Sequence, residues 1–472
     1  MSEHEVKFKS YERYELEGEK APDRVHWPSR FKVSVRRRGL AKLLFKEIFE
    51  YGPRNKDVIL SRPCVYGVFS GPVGGFMPRE HLCVGCLRCT TEFPEFVSIS
   101  HNPERQCLGD SYFNFHHVNA VSYEAQAGMV PVKGAGYRGK FGGEGWDGMW
   151  TDMSEIVRPT RDGIHGREFI STAVDVGYKP NYLTFDGNGQ PSGELPDTIS
   201  LPVPMMFDAL ESLGSASAFW RISAAAAERA QTLAVVPLDA IIENGLAGNH
   251  IVPLVREGDE DKWHALGFEP EMVEMDGWNA GLFEALRKSF PDCQIVLRTG
   301  FAGKELLEYA DGGVRVFHLT ADHHGRGAGG EFVLDLIRKA HNVFVDAGRR
   351  EEVTLIGSGG MVAAEHLPKA IICGLDVVGI DTPLLVALQA EMEGECADRT
   401  ESEFTLPQKL DVEWGAQRLF NLAASWRDQL LEIMGAMGLR EVRRMRGEMG
   451  RAMFMVDLEA VAFAEVEGYP HA

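Results

Sequence analysis

The chain has 472 residues, 44% of them hydrophobic and 25% charged, with a formal net charge of −20. That length suits a barrel of about 250 residues with additions rather than one small domain. The acidic balance argues against nucleic acid as the main partner. No apolar run reaches the roughly 18 residues of a membrane span, and MSEHEVKFKSYERYELEGEK lacks the apolar centre of a signal peptide. There are eight cysteines, three of them in one short run. That usage suits reduced thiols and a metal centre in a reducing cytoplasm better than a disulfide framework.

Residues 1–60 are polar. In FKVSVRRRGLAKLLFKEIFEYG, Leu40, Leu43, Leu44 and Ile48 fall at helical spacing behind Arg36 to Arg38, which predicts an amphipathic surface helix. Residues 61–110 carry LCVGCLRCTTEFPEF, a C-x2-C-x2-C run of Cys83, Cys86 and Cys89. Tight turns at this spacing can wrap thiolates around an iron–sulfur cubane. The run resembles the cluster motif of bacterial-type ferredoxins, with Phe93-Pro94 where that motif has Cys-Pro. The resemblance implies one cluster, either [4Fe–4S] with a distant fourth ligand or [3Fe–4S]. Cys64 and Cys107 are the two candidates for that ligand, and a zinc site is the alternative metal.

Residues 111–200 read as an irregular lead-in that covers part of the barrel. GYRGKFGGEGWDGMW is loop by its glycine content, TDMSEIVRPTRDGIHGREF follows it, and FDGNGQPSGELPD is rich in turn residues. Over 201–390 short apolar runs alternate with helical patterns, the signature of βαβ units. The predicted strands are 202–207, 233–238, 250–255, 272–275, 294–299, 314–319, 353–357 and 376–380. Helices are predicted in SASAFWRISAAAAERAQ, EDKWHALG, NAGLFEALRKSF, FVLDLIRKAHNVFVDAG and AAEHLPKAIICG. Eight such units predict a (β/α)8 TIM barrel. Residues 391–472 are predicted helical, with Leu419, Leu422, Trp426, Leu430, Ile433 and Met437 in one buried stripe. LREVRRMRGEMGR then reads as a solvated helical face.

VTLIGSGG and VVGIDT each end an apolar strand on small residues that let backbone N–H groups approach an anion. Loops after strands 7 and 8 of such barrels commonly build a phosphate site. Over VTLIGSGGMVAAEHLPKAIICGLDVVGIDTPLLVAL the chain resembles the FMN-binding barrel of the glutamate synthase large-subunit family. The resemblance puts Ser358, Gly359, Gly360, Gly379, Asp381 and Thr382 around the FMN phosphate. Asp381 replaces the family's glycine, and a carboxylate there would repel a phosphate. PVPMMFDALESLGSAS and GLREVRRMRG resemble the family's first strand and closing segment.

QIVLRT resembles the family strand that carries a lysine near flavin N1 and O2, so the cation here would be Arg298. A cation at that place stabilises an anionic reduced flavin. HLTADHHGRGAGGEF stands where the family has a glycine-rich loop after strand 6. Its Asp322, His323, His324 and Arg326 suit an anionic substrate and proton transfer. The implied function is an FMN- and iron–sulfur-dependent oxidoreductase, passing electrons from a donor or partner subunit through the cluster to FMN and a small 2-oxo or imino acid. The Met-Ser start offers no N-terminal cysteine nucleophile, so a glutaminase activity is expected to come from elsewhere. Two alternatives stay open. One is an electron-transfer or scaffold subunit without turnover of its own, and the other is a flavin-free barrel that binds a phosphorylated metabolite.

Overall fold

Eight short parallel strands close into a barrel in the computed structural model, which describes residues 14–25, 27–54, 64–71, 76–130, 143–152, 170–193 and 195–468. The strands are β1 (Met205–Phe207), β2 (Ala234–Pro237), β3 (Ile251–Val255), β4 (Met272–Asp276), β5 (Gln294–Gly300), β6 (Val316–Thr320), β7 (Thr354–Ser358) and β8 (Val377–Ile380). Each pairs in parallel with the next, and β8 pairs with β1, for instance Val378 with Met205. All eight predicted strands are present. They are legible because a strand covered on both faces is a continuous apolar run, as in β3 (IVPLV) and β8 (VVGI), which are buried throughout.

Helices Ala218–Ala230, Ala280–Ser289, Val333–Asp346 and His366–Cys373 follow their strands as expected. Two further short helices, Leu238–Asn244 and Glu305–Asp311, follow β2 and β5. EDKWHALG is a correction: it forms only the 3-10 turn Trp263–Ala265. Eight residues closed by Gly267 and Pro270 are too few to nucleate an α-helix against solvent. The long C-terminal helix Val412–Met437 buries the whole predicted stripe against the helices Ala218–Ala230 and Phe115–Ala127.

Two basic segments differ from expectation. FKVSV is a strand, Phe31–Val35, paired antiparallel with Val97–His101, and the helix begins only at Arg37. There Leu40 is buried, while Ile48 faces solvent. At the other end, Gly438 in the left-handed region (φ 73°) stops the long helix. LREVRRMRGEMGR therefore continues as turns rather than a helical face. Its arginines do not simply point into solvent. Arg443 reaches Asp175 at 2.8 Å, and Arg446 reaches Asp376 at 2.8 Å and also Glu351.

The lead-in covers both ends of the barrel. The antiparallel pair Val174–Tyr178 and Asp197–Leu201 caps the end where the strands begin, with Gly177 N donating to Thr354 Oγ1 at 3.0 Å. At the opposite end, Tyr112 Oη and Trp146 Nε1 both donate to the Gly360 carbonyl, at 2.6 and 2.9 Å. Most of GYRGKFGGEGWDGMW before Gly143, and TDMSEIVRPTRDGIHGREF from residue 153 on, lie outside the described residues. The cysteine segment has a small core of its own, built from Val33, Val68, Phe69, Cys83, Cys89 and Val97.

Candidate functional site: the barrel mouth and the cysteine cavity

Charged residues at the C-terminal ends of the strands converge inside the barrel. Arg298, on β5, donates from Nη1 to Asp208 Oδ1 at 2.8 Å and to Glu274 Oε1 at 2.7 Å. Its Nη2 lies 3.3 Å from Glu211 Oε1. On β6, His318 Nδ1 sits 2.9 Å from Glu274 Oε1, and its Nε2 sits 3.0 Å from Ser358 Oγ on β7. The carboxylate can only accept, so Nδ1 carries the proton toward Glu274. Arg399, on the loop joining the short antiparallel strands Glu391–Glu393 and Glu403–Thr405, bonds Asp208 from Nη2 and Asp381 Oδ2 from Nη1, the latter at 3.0 Å. His323 Nδ1 reaches the same Asp381 oxygen at 3.2 Å. One chain of ion pairs thus runs Glu274–Arg298–Asp208–Arg399–Asp381–His323.

These groups are almost wholly buried, and burial sets their chemistry. Burial alone would raise the carboxyl pKa of Asp208. The charges of Arg298, Arg399 and His318 overcome it and hold Asp208 well below the usual carboxylate range. Asp381 is likewise lowered against its burial, by the hydrogen bond and charge of His323 and the charge of Arg399. Burial would lower Arg298, but Asp208 and Glu274 hold it well above the ordinary arginine value. Asp208, Glu274 and His318 could together hold a cation, and the Arg298 guanidinium already bridges the two carboxylates.

The sequence-selected residues divide. Arg298 and His323 belong to the network, as do Ser358 and Asp381. Asp322 does not face it: its Oδ1 accepts from Arg326 N at 2.7 Å and closes a turn. His324 turns outward, with Nε2 2.8 Å from Asp110 Oδ2 and its ring stacked on Tyr112. Gly379 lies where an added Cβ would come within 2.9 Å of Ser358 Cβ and 3.1 Å of His318 Nε2. Sequence reading missed Asp208, Glu274, His318 and Arg399. The first three had a signal, a charged or imidazole side chain set in or beside an apolar strand run. Arg399 had none, because its loop carries no periodicity.

A phosphate can be tested against the ends of β7 and β8. Gly359 and Gly360 take positive φ values of 96° and 74°. A Cβ at Gly359 would stand 2.6 Å from the carbonyls of Ala321 and Asp322, and one at Gly360 would stand 2.5 Å from Gly325 Cα. Both glycines are therefore required by the close approach of the β6 loop, whatever binds. Among the described residues, no hydrogen bond uses the N–H groups of Gly359, Gly360 or Met361. Thr382 Oγ1, His323 Nε2 and Arg399 Nε are also buried without a partner. Donors left free at both strand ends fit an anion. The repulsion expected from Asp381 is offset by Arg399 and His323.

The second site lies in the cysteine segment. Cys64, Cys83, Cys86 and Cys89 line one cavity with Val33, Val68 and Ile99. Cys107 does not line it; its thiol donates to Pro103 O at 3.4 Å on a separate helical turn. The backbone wraps the cavity through two left-handed residues, Gly85 (φ 71°) and Leu87 (φ 61°). A leucine in that region is uncommon and marks a constrained turn. Thr90 and Thr91 hold it by donating to Leu87 O. Burial pushes the Cys83 and Cys89 thiols up to about 11. Among the described residues, no three of these sulfurs lie within 4.8 Å of one another. A tetrahedral zinc with Zn–S bonds of about 2.3 Å needs sulfurs about 3.8 Å apart. Cys86 is exposed at the cavity's edge.

The family described as a conserved region in glutamate synthase matches residues 323–440, from the β6 loop through the long helix. An archaeal-type glutamate synthase (NADPH) of Dehalococcoides mccartyi is 22% identical over 435 residues, covering 78% of this chain and 86% of that protein. The archaeal glutamate synthase (NADPH) of Methanocaldococcus jannaschii is 34% identical over 116 residues, about a fifth of each chain. Among solved structures, mandelate oxidase covers 63% of this chain and 98% of its own, at 14% identity and a TM-score of 0.38. No helix of the described residues is long and apolar enough to cross a membrane. The matched region contains Ser358, Asp381, Arg399 and the β7–β8 turns, and over it the chain is similar to the conserved region of glutamate synthases.

Proposed function

We propose that the chain is an FMN-dependent oxidoreductase acting on a small anionic 2-oxo or imino acid, fed through an iron–sulfur cluster. The observation that carries the reading is the set of free donors at the ends of β7 and β8, inside the segment matched by the family. In this reading Ser358, Gly359, Gly360, Gly379, Asp381 and Thr382 surround the flavin phosphate. FMN, when bound, supplies hydride chemistry to such a barrel. The chain's own residues bind and orient. Arg399 and His323 neutralise Asp381 so that an anion is tolerated beside it. Arg298 keeps its positive charge in the bore, held by Asp208 and Glu274. His318 holds a proton between Glu274 and Ser358.

The cluster ligands proposed are Cys64, Cys83, Cys86 and Cys89. Their shared cavity, the two left-handed turns and the wide sulfur spacing support iron–sulfur over zinc. A bound cluster would hold the thiolates that burial otherwise disfavours. The exposed Cys86, with exposed Val84 close by in sequence and exposed Tyr66 lining the same cavity, offers an edge to an external donor or partner subunit.

A second reading is an electron-transfer or scaffold subunit without turnover of its own. It is favoured by the saturation of Arg298, whose guanidinium is engaged by Asp208, Glu274 and Glu211 and is not free to face a flavin. Flavin and iron analysis of anaerobically purified protein tests the cofactors. Substitution of His323 separates the two readings, because a scaffold would keep full activity in its complex.

A further inference from the structure

We infer that the loop 394–402 completes a small-anion site around Asp381, with Arg399 and Thr382 as its side-chain donors and His323 beside them. The inference rests on reading the barrel mouth as the ligand site, and it adds to that site residues that the strand motifs do not include. The ligand chemistry is an oxyanion end, either a phosphate or a carboxylate.

Asp381 is saturated by its neighbours. Its Oδ2 takes Arg399 Nη1 and His323 Nδ1, and its Oδ1 takes the backbone N–H of Thr382 at 2.7 Å. The residues that saturate it each keep one buried polar atom unused: Arg399 Nε, His323 Nε2 and Thr382 Oγ1. His323 and Thr382 are each 2% exposed, so water does not serve them from bulk. A buried donor without an acceptor costs on the order of 1–3 kcal/mol. Arg399 Nε and Thr382 Oγ1 are such donors, and with His323 Nε2 they sit on residues gathered around one carboxylate. An oxyanion accepts from Arg399 Nε and Thr382 Oγ1, and from His323 Nε2 when the imidazole carries both protons.

The loop is built to bring Arg399 there. Asp398 Oδ1 accepts from the N–H groups of Thr400 and Glu401, both at distances of 2.7–2.8 Å, which fixes the turn. His323 N donates to Ala397 O at 2.8 Å, tying the loop to the β6 segment that carries the histidine. Arg399 Nη1 also donates to Ala321 O at 3.2 Å. Arginine and histidine therefore arrive as one unit against Asp381. The glycine of the family motif could not recruit them, having no side chain to pair.

The test is a binding titration of the full-length chain with FMN, riboflavin and 2-oxoglutarate, comparing wild type with Arg399→Gln and Thr382→Val. Thr382→Val removes no existing hydrogen bond of the side chain, so it keeps the fold if Arg399→Gln does not. If the anion is the flavin phosphate, each variant lowers the preference for FMN over riboflavin by about tenfold, the worth of one charge-assisted hydrogen bond. Riboflavin affinity stays within about twofold. If the anion is a substrate carboxylate, the FMN-to-riboflavin ratio is unchanged and 2-oxoglutarate affinity of the flavin-loaded protein falls by a similar factor. Either loss supports the site. Variants that keep both the ratio and the 2-oxoglutarate affinity overturn it. A wild-type chain that binds no flavin yet is thermally protected by inorganic phosphate, with protection lost in both variants, would sink the flavin reading and leave this inference standing.

Discussion

Arg298 and Glu274 stand on neighbouring strands with Nη1 2.7 Å from Oε1, both side chains sealed from solvent. Asp208 holds the same nitrogen at 2.8 Å. Removing one partner of a buried pair strands the other charge, at a cost of about 3–5 kcal/mol. Arg298→Met should therefore lower unfolding stability by that order, measured by chemical denaturation. The double variant Arg298→Met/Glu274→Gln should recover part of the loss, because it removes the stranded charge. A single variant as stable as wild type would mean that the pair is not formed in solution.

The outward latch between His324 and Asp110 predicts a pH dependence. Burial would lower His324, but the hydrogen bond and charge of Asp110 raise it above its ordinary value. Asp110 is lowered against burial by its bond to His324. A raised histidine contributes stability that is full below its unfolded value and lost as pH rises through the folded one. A lowered aspartate contributes stability that is present above its unfolded value and lost as pH falls through the folded one. The two overlap between about pH 4 and pH 6.5, the ordinary values of the two groups. The Tm difference between wild type and His324→Gln should be largest in that window and shrink above it. A difference that grows with rising pH would contradict the latch.

Cysteine substitutions separate the two fourth-ligand candidates. Cys64→Ser should lose most bound iron and acid-labile sulfide, as should Cys86→Ser. Cys107→Ser should keep both, since that thiol is exposed and turned to Pro103. Flavin content should be unchanged in all three. Iron lost from Cys107→Ser but retained in Cys64→Ser would reverse the assignment.

Gly379 offers a probe that keeps every polar group in place. An alanine there would press on Ser358 Cβ at 2.9 Å and His318 Nε2 at 3.1 Å. Overpacking of this kind costs about 1–3 kcal/mol. Gly379→Ala should lower Tm and shift the His318 imidazole resonances in NMR. Gly360 is the poorer probe, because any side chain there meets the Gly325 backbone at 2.5 Å and disturbs the β6 loop as well as a ligand.

The barrel was legible because its strands are uninterrupted apolar runs with helices between them. EDKWHALG misled because composition favours a helix that eight residues ending in Gly267, with Pro270 just beyond, cannot complete. Glycine placement marked the tight turn after β7, where Gly359 and Gly360 take positive φ. The ion-pair chain was not: Asp208 and Arg399 are 191 residues apart in sequence and meet only once the barrel closes and the loop folds back. The five-residue run TADHH suggested one polar face, yet the backbone turn at Asp322 sends His323 inward and His324 outward. Adjacent residues in a turn share sequence context but not direction.

Cofactor content tests the central claim most directly. The chain, purified without oxygen and reconstituted with FMN, iron and sulfide, should carry about one FMN per chain, as expected of a single barrel with one phosphate site. The flavin should be released as FMN on denaturation and be identified by chromatography. Protein that folds, retains iron and takes up no flavin under these conditions would contradict the account.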